Sequence, residues 1–138
     1  MRQKDEELFF KDLCARLPYG VKCNALLKQI DGSLKSVFGT FKGYNRWVTV
    51  GDNLVDIETV RPYLRPMSSM TEEEWLTLKE WILIASDTEG KIYFDGFRNI
   101  SADDTIKAID YLISHYFDYR GLIPMGLALE APEGMYNV

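Results

Sequence analysis

Apolar residues in 3–17, QKDEELFFKDLCARL, fall at Phe9, Leu13 and Leu17, with Phe10 and Cys14 beside them. That three-and-four spacing is one face of a helix. Asp5, Glu6 and Glu7 occupy its first turn, where the helix dipole favours acids, and Pro18 and Gly20 stop it. From Val21 to about Val60 the pattern changes to short runs rich in β-branched and aromatic residues: VKCNALL, LKSVFGTF, RWVTV and LVDIETV. Asp31-Gly32, Gly43 with Asn45, and Gly51-Asp52-Asn53 separate them. Asp31-Gly32 between two such runs predicts a two-residue type I′ hairpin, which needs positive φ at both central positions.

RPYLRPMSSM (61–70) holds two prolines and two serines, and reads as an extended linker. Thr71 with Glu74 three residues later forms a capping-box signature, and Met70 with Trp75 a hydrophobic staple. Trp75, Leu78 and Ile82, with Trp81 beside them, extend an apolar stripe along the helix that follows. DTEGKIYFDGF (87–97) reads as turn, short strand and turn. Ser101 then caps a second helix, with Asp103 and Asp104 in its first turn and Ile106, Ile109, Leu112, Ile113 and Tyr116 as its buried face. The expected fold is a single α+β domain over 1–138. A small antiparallel β meander, or a partly open SH3-like barrel, packs with about three helices. Residues 1–60 are the helix plus β unit and 61–70 the linker. Residues 71–138 form a helical half with a short β hairpin and a C-terminal strap.

At 138 residues, 46% of them hydrophobic, the chain can build one core without metal or disulfide support. Its longest apolar run, WILIA (81–85), is far short of the roughly 20 residues of a membrane span, and MRQKDEELFF lacks the apolar stretch of a signal peptide. A cytoplasmic protein without membrane attachment is expected, with Cys14 and Cys23 as reduced thiols. With one histidine and no C-x-x-C pair, the common zinc patterns are absent. Charge is divided unevenly. Residues 1–70 carry 11 Lys/Arg against 8 Asp/Glu, and residues 71–138 carry 5 against 13. Such asymmetry marks either a nucleic-acid face beside an acidic half or two solvated surfaces of opposite sign.

Candidate chemistry is sparse. His115 ends the last helix near Asp110, Asp118, Tyr119 and Arg120, so Asp118 could orient it as a general base. No nucleophile is tied to it by a local motif, and a helix C-terminus favours histidine for electrostatic reasons alone. SDTEGKIYFD (86–95) imitates a calcium loop only at its central turn: Ala85 and Gly96 stand where the anchoring carboxylates belong. Glu72, Glu73 and Glu74, like Asp103 and Asp104, lie in helix first turns, where capping explains them. Phosphate loops, dinucleotide fingerprints and nucleophile elbows are absent. No catalytic residue, metal ligand set or cofactor is assigned.

The segment VFGTFKGYNRWVTV (37–50) is the positive candidate. Phe38, Phe41, Tyr44 and Trp47 alternate with Lys42 and Arg46, as small barrels do when rings stack on bases and cations take phosphates. The same rings could instead fill a small barrel. The tail presents Leu122, Ile123, Met125, Leu127 and Leu129, too many apolar groups to leave in water. It either straps onto its own domain or docks on another copy or a partner.

LPYGVKC (17–23), LRPMSSMTEEE (64–74) and DYRGLIPMGLALEAPEGMY (118–136) resemble segments of short proteins from gut anaerobic bacteria and their prophages. The resemblance implies a bacterial or mobile-element origin, in which small proteins bind host proteins or nucleic acid, and it carries over no catalytic residue. The expectation is a non-enzymatic protein-interaction or self-association module. A nucleic-acid-binding barrel using the 37–50 segment is the alternative, and an enzyme of unknown class the third.

Overall fold

Phe9 and Leu13 anchor the first helix, α1 (Gln3–Ala15), in a core shared with a sheet, and a 3-10 turn over Leu17–Tyr19 ends it. The structure is a computed structural model that describes residues 3–44, 48–98 and 101–136, with the Tyr44 side chain excluded. Strands β1 (Lys22–Lys28), β2 (Leu34–Tyr44), β3 (Val48–Val50) and β4 (Asn53–Val55) form an antiparallel meander. The β1–β2 turn differs from the expected type. Only Gly32 takes positive φ (88°), and Gln29 and Ser33 close a three-residue loop through Gln29 N donating to Ser33 O at 2.8 Å. Asp31 instead accepts from the Ser33 amide and hydroxyl, and so shapes the loop through its side chain.

β2 is long enough to serve two neighbours. Residues 34–40 pair with β1 and 41–44 with β3, with an irregularity between Phe41 and Gly43. The bend brings the β3–β4 turn against Gly39, where an added Cβ would stand 2.8 Å from the Gly51 nitrogen. A side chain at 39 would hold the two layers apart. β4 returns beside β1 without pairing to it among the described residues, which leaves the curled sheet partly open.

Residues 61–70 are not a linker. Arg61–Leu64 form β5, antiparallel to β1 through Cys23↔Pro62 and Asn24↔Arg61, and Met67–Ser69 form a 3-10 turn. Beyond it α2 runs only over Glu72–Leu78. WILIA then leaves the helix: Ile82–Ser86 form β6, paired with β7 (Ile92–Phe97) in a two-stranded sheet. Its isoleucines suit a pleated strand as well as a helix stripe, and the hairpin turn at Asp87–Gly90 decides between them. α3 (Ala102–Ser114) follows its Ser101 cap, and a two-residue β8 (Leu129–Glu130) closes the chain's path. β8 pairs in parallel with β5, giving the six-stranded order β4-β3-β2-β1-β5-β8.

The fold is α+β, three helices with a mostly antiparallel six-stranded sheet and a separate hairpin. Two buried clusters hold it together. One joins α1, the sheet and the tail through Phe9, Leu13, Phe41, Leu64, Leu122 and Leu127. The other joins α2, the hairpin and α3 through Met67, Leu78, Ile82, Leu112 and Phe117. Among the described residues no helix is long and apolar enough to cross a membrane.

Candidate functional site

Arg65, just past β5, ties the two clusters together. Its guanidinium grips Glu74 with two hydrogen bonds of 2.7 Å, reaches the Ser69 and His115 carbonyls, and lies 4.2 Å over the Phe117 ring. Glu74 Oε1 also accepts from Thr71 N while Thr71 Oγ1 accepts from Glu74 N, completing the expected capping box. Burial by itself would raise the Glu74 carboxyl. The Arg65 and Thr71 contacts outweigh it and hold the group below its usual range. Arg65 and Glu74 thus neutralise each other.

Around this knot opens a groove of about 1060 Å³ between α2, the end of α3 and residues 130–136. Its apolar lining is the half-buried Pro66 and Tyr111 and the exposed Leu76 and Pro132. Glu72 and Glu73 come to it from α2, Glu130 and Glu133 from the tail. Among the described residues none of these four enters an ion pair, so uncompensated negative charge stands beside exposed apolar side chains. Glu72 and Glu73 were legible as helix-start acids. Their convergence with Glu130 and Glu133 depends on the tail crossing the fold, which local pattern does not show.

His115 lines this groove but is held as a structural group. Its ring stacks on Tyr111 at 3.9 Å between centroids, and Nδ1 lies 3.0 Å from the Tyr111 carbonyl oxygen. The Ser114 hydroxyl lies 3.2 Å from the same Nδ1. Asp118 does not orient it. Both Asp118 oxygens turn the other way, accepting from Leu122 N at 2.8 Å and Ile123 N at 2.9 Å. Burial raises the Asp118 carboxyl despite those two amide bonds. No hydrogen bond joins His115 and Asp118 among the described residues.

The tail is a strap on its own domain. Leu122 and Leu127 are buried in the main core, so neither is available to a partner without unfolding; Ile123 is half-buried, while Met125 and Leu129 remain exposed. Burying a leucine such as Leu122 stabilises by about 1.5–3 kcal/mol. Tyr136 fastens the end: its hydroxyl accepts from Lys22 N at 2.9 Å and donates to the Tyr63 carbonyl at 2.7 Å. Its ring stacks on Tyr116, whose hydroxyl bonds the Tyr19 carbonyl.

In the 37–50 segment Phe41 points into the core and offers no stacking surface, because strand alternation sends it inward with Val48 and Val50. Lys42 is exposed, 3.7 Å from a fully exposed Asp52. Arg46, Trp47 and the Tyr44 side chain lie outside the described residues. The ring that faces solvent is Phe38, 55% exposed and 5.8 Å from Tyr63 across β1. Beside this pair Asn24 bonds Ser36, and Lys22 bonds Thr40.

Comparison of the chain with protein-family models, with curated proteins and with solved structures finds no match. Among the described residues no three His, Cys, Asp or Glu side chains gather as a metal would require. Cys14 is exposed and Cys23 buried, and the two are not bonded to each other.

Proposed function

We propose that the protein is a non-enzymatic interaction module, of the bacterial or prophage origin that the sequence resemblance implies. Its groove receives a cationic segment of a protein partner, with an apolar side chain seated between Leu76 and Pro132. The observation that carries this reading is the set of four unpaired glutamates beside the exposed Leu76 and Pro132. Opposed charges steer encounter and select partners, and the exposed apolar side chains supply affinity.

The test is fluorescence anisotropy with a labelled peptide of alternating lysine and leucine, against an acidic control of glutamate and leucine, across a salt series. Binding of the cationic peptide alone, weakening with salt and falling at least tenfold in Glu72→Lys/Glu73→Lys and in Glu130→Lys/Glu133→Lys, is expected. Equal affinity for both peptides, or binding indifferent to these substitutions, removes the groove from consideration.

A second reading places single-stranded nucleic acid on the open sheet face. It is favoured by the exposed Phe38 ring beside Tyr63 and Lys22. Salt-dependent oligonucleotide binding that is lost in Phe38→Ala would support it; binding unchanged in Phe38→Ala would end it.

A further inference from the structure

The β1–β2 hairpin carries the converse surface. Ile30, at its tip, is 109% exposed, the most exposed large hydrophobic side chain described, and Leu34 follows at 61%. Lys28 and Lys35 flank them, exposed on the two strands, cross-strand neighbours of Leu34 and Leu27. The tip is preorganised. Gly32 N donates to Gln29 O at 3.0 Å, and the Asp31 carboxylate accepts from the Ser33 amide and hydroxyl at 2.9 and 2.6 Å. Asp31 stays exposed and keeps its charge, so the tip presents two lysines against one acid around Ile30. A rigid tip gives up little conformational freedom on docking.

We infer that the occupant of the glutamate-rimmed groove is the β1–β2 hairpin tip of a second copy of this chain. Ile30 seats against the exposed Leu76 and Pro132, with Lys28 and Lys35 against Glu72, Glu73 and Glu133. This deepens the groove reading above and rests on it. Two observations favour a second copy. First, one chain presents both halves of a complementary pair: apolar residues flanked by cations, and exposed apolar side chains flanked by acids. Second, the fold keeps them apart. β1 runs antiparallel to β5, so its Lys22 end lies beside Tyr63 and the groove at Arg65, while its Lys28 end points the other way. Seven residues of strand at about 3.3 Å each separate the tip from that end, so the hairpin cannot enter its own groove. Because tip and groove are different patches, the contact is heterologous and propagates from copy to copy, closing into a ring or running on as a chain. A single hairpin tip is a small interface, so assembly is weak and depends on concentration.

Sedimentation equilibrium of the full chain over a concentration and salt series tests this. The weight-average mass should rise above the 15.9 kDa of one chain with concentration and fall back with added salt. Ile30→Asp and Glu72→Lys/Glu73→Lys should each remain monomeric; both alter exposed positions, and circular dichroism checks that they fold. Mixed together they should form a dimer and nothing larger, since the first retains an intact groove and the second an intact tip. A self-complementary interface would show no such recovery on mixing. A chain that stays monomeric throughout, or that associates equally well as Ile30→Asp, overturns the inference. If the lysine–leucine peptide still binds in that case, the groove reading survives and only its occupant is wrong; if the peptide also fails, both fall.

Discussion

Replacing Asp12 should destabilise this protein more than removing the arginine that Asp12 holds. Both side chains are wholly buried, Asp12 on α1 and Arg16 just past its end. Arg16 Nε donates to Asp12 Oδ2 at 2.8 Å and Nη2 to Oδ1 at 3.2 Å, while Nη2 also reaches the Phe117 carbonyl at 2.6 Å. Nη1 is buried with no partner among the described residues. Arg120 supplies Asp12 with a second cation at 3.1 Å. Asp12→Ala therefore strands a buried guanidinium that already lacks one bond, a loss of about 3–5 kcal/mol. Arg16→Met leaves Asp12 with Arg120 and removes the orphaned N–H. Its main cost is the freed Phe117 carbonyl and the weakened pairing, about 1–3 kcal/mol. Asp12→Leu/Arg16→Met removes both charges and should lie nearer the parent than Asp12→Ala. Urea unfolding followed by tryptophan fluorescence measures all three, since an uncharged denaturant leaves ion pairs unscreened. A loss below about 1 kcal/mol in Asp12→Ala, or a larger loss in Arg16→Met than in Asp12→Ala, would refute the claim that the stranded cation sets the cost.

Three further outcomes are expected. The folded Glu74 carboxyl ionises below its unfolded value, so between the two values the unfolded chain binds more protons. The Arg65–Glu74 contribution is thus present above the unfolded pKa and lost as pH falls through the folded one. The urea midpoint should fall on acidification from about pH 5 to about pH 3 more steeply in the parent than in Glu74→Gln, and parallel curves would contradict this. Gly39→Ala puts a methyl group 2.8 Å from the Gly51 backbone and should cost about 1–3 kcal/mol by thermal melting; an unchanged melt would mean the β2 bend relaxes freely. Burial pushes the Cys23 thiol up to about 12, so iodoacetamide should add once to the native chain, at the exposed Cys14, and twice in urea. Two adducts on native protein would show that the sheet core opens.

Much of the fold could be read locally. The α2 start is written in Thr71 and Glu74, the α3 start in Ser101, and the meander in its alternating runs, because caps and turns are short-range chemistry. The misreadings share a cause: they concern segments whose partners are distant. Arg61–Leu64 resembles a linker by its prolines, yet becomes an inner strand because β8, more than 60 residues later, and β1, nearly 40 residues earlier, flank it. WILIA carries a period compatible with helix or strand, and its pairing with β7 settles the matter. Asp12, on α1, and Arg16, just past its end, sit four apart as a surface ion pair would. Their burial follows from the 117–120 turn folding over them. For the groove, the acid excess of the second half was visible, but its focus at four residues required the path of the tail.

That path bears on how the protein is made. β5 is lined on one edge by β8, Leu122 completes the main core, and Tyr136 bonds both Lys22 and Tyr63. The sheet begun by the first third of the chain is therefore finished by residues more than 60 positions beyond β5. Until residues 122–136 have emerged from the ribosomal tunnel, the nascent chain has its hairpins and helices but an open sheet edge and an unfilled core. A product that stops short of β8 would expose the edge of β5 to proteases and to other nascent chains. The strap thus makes translation to residue 136 a condition of survival.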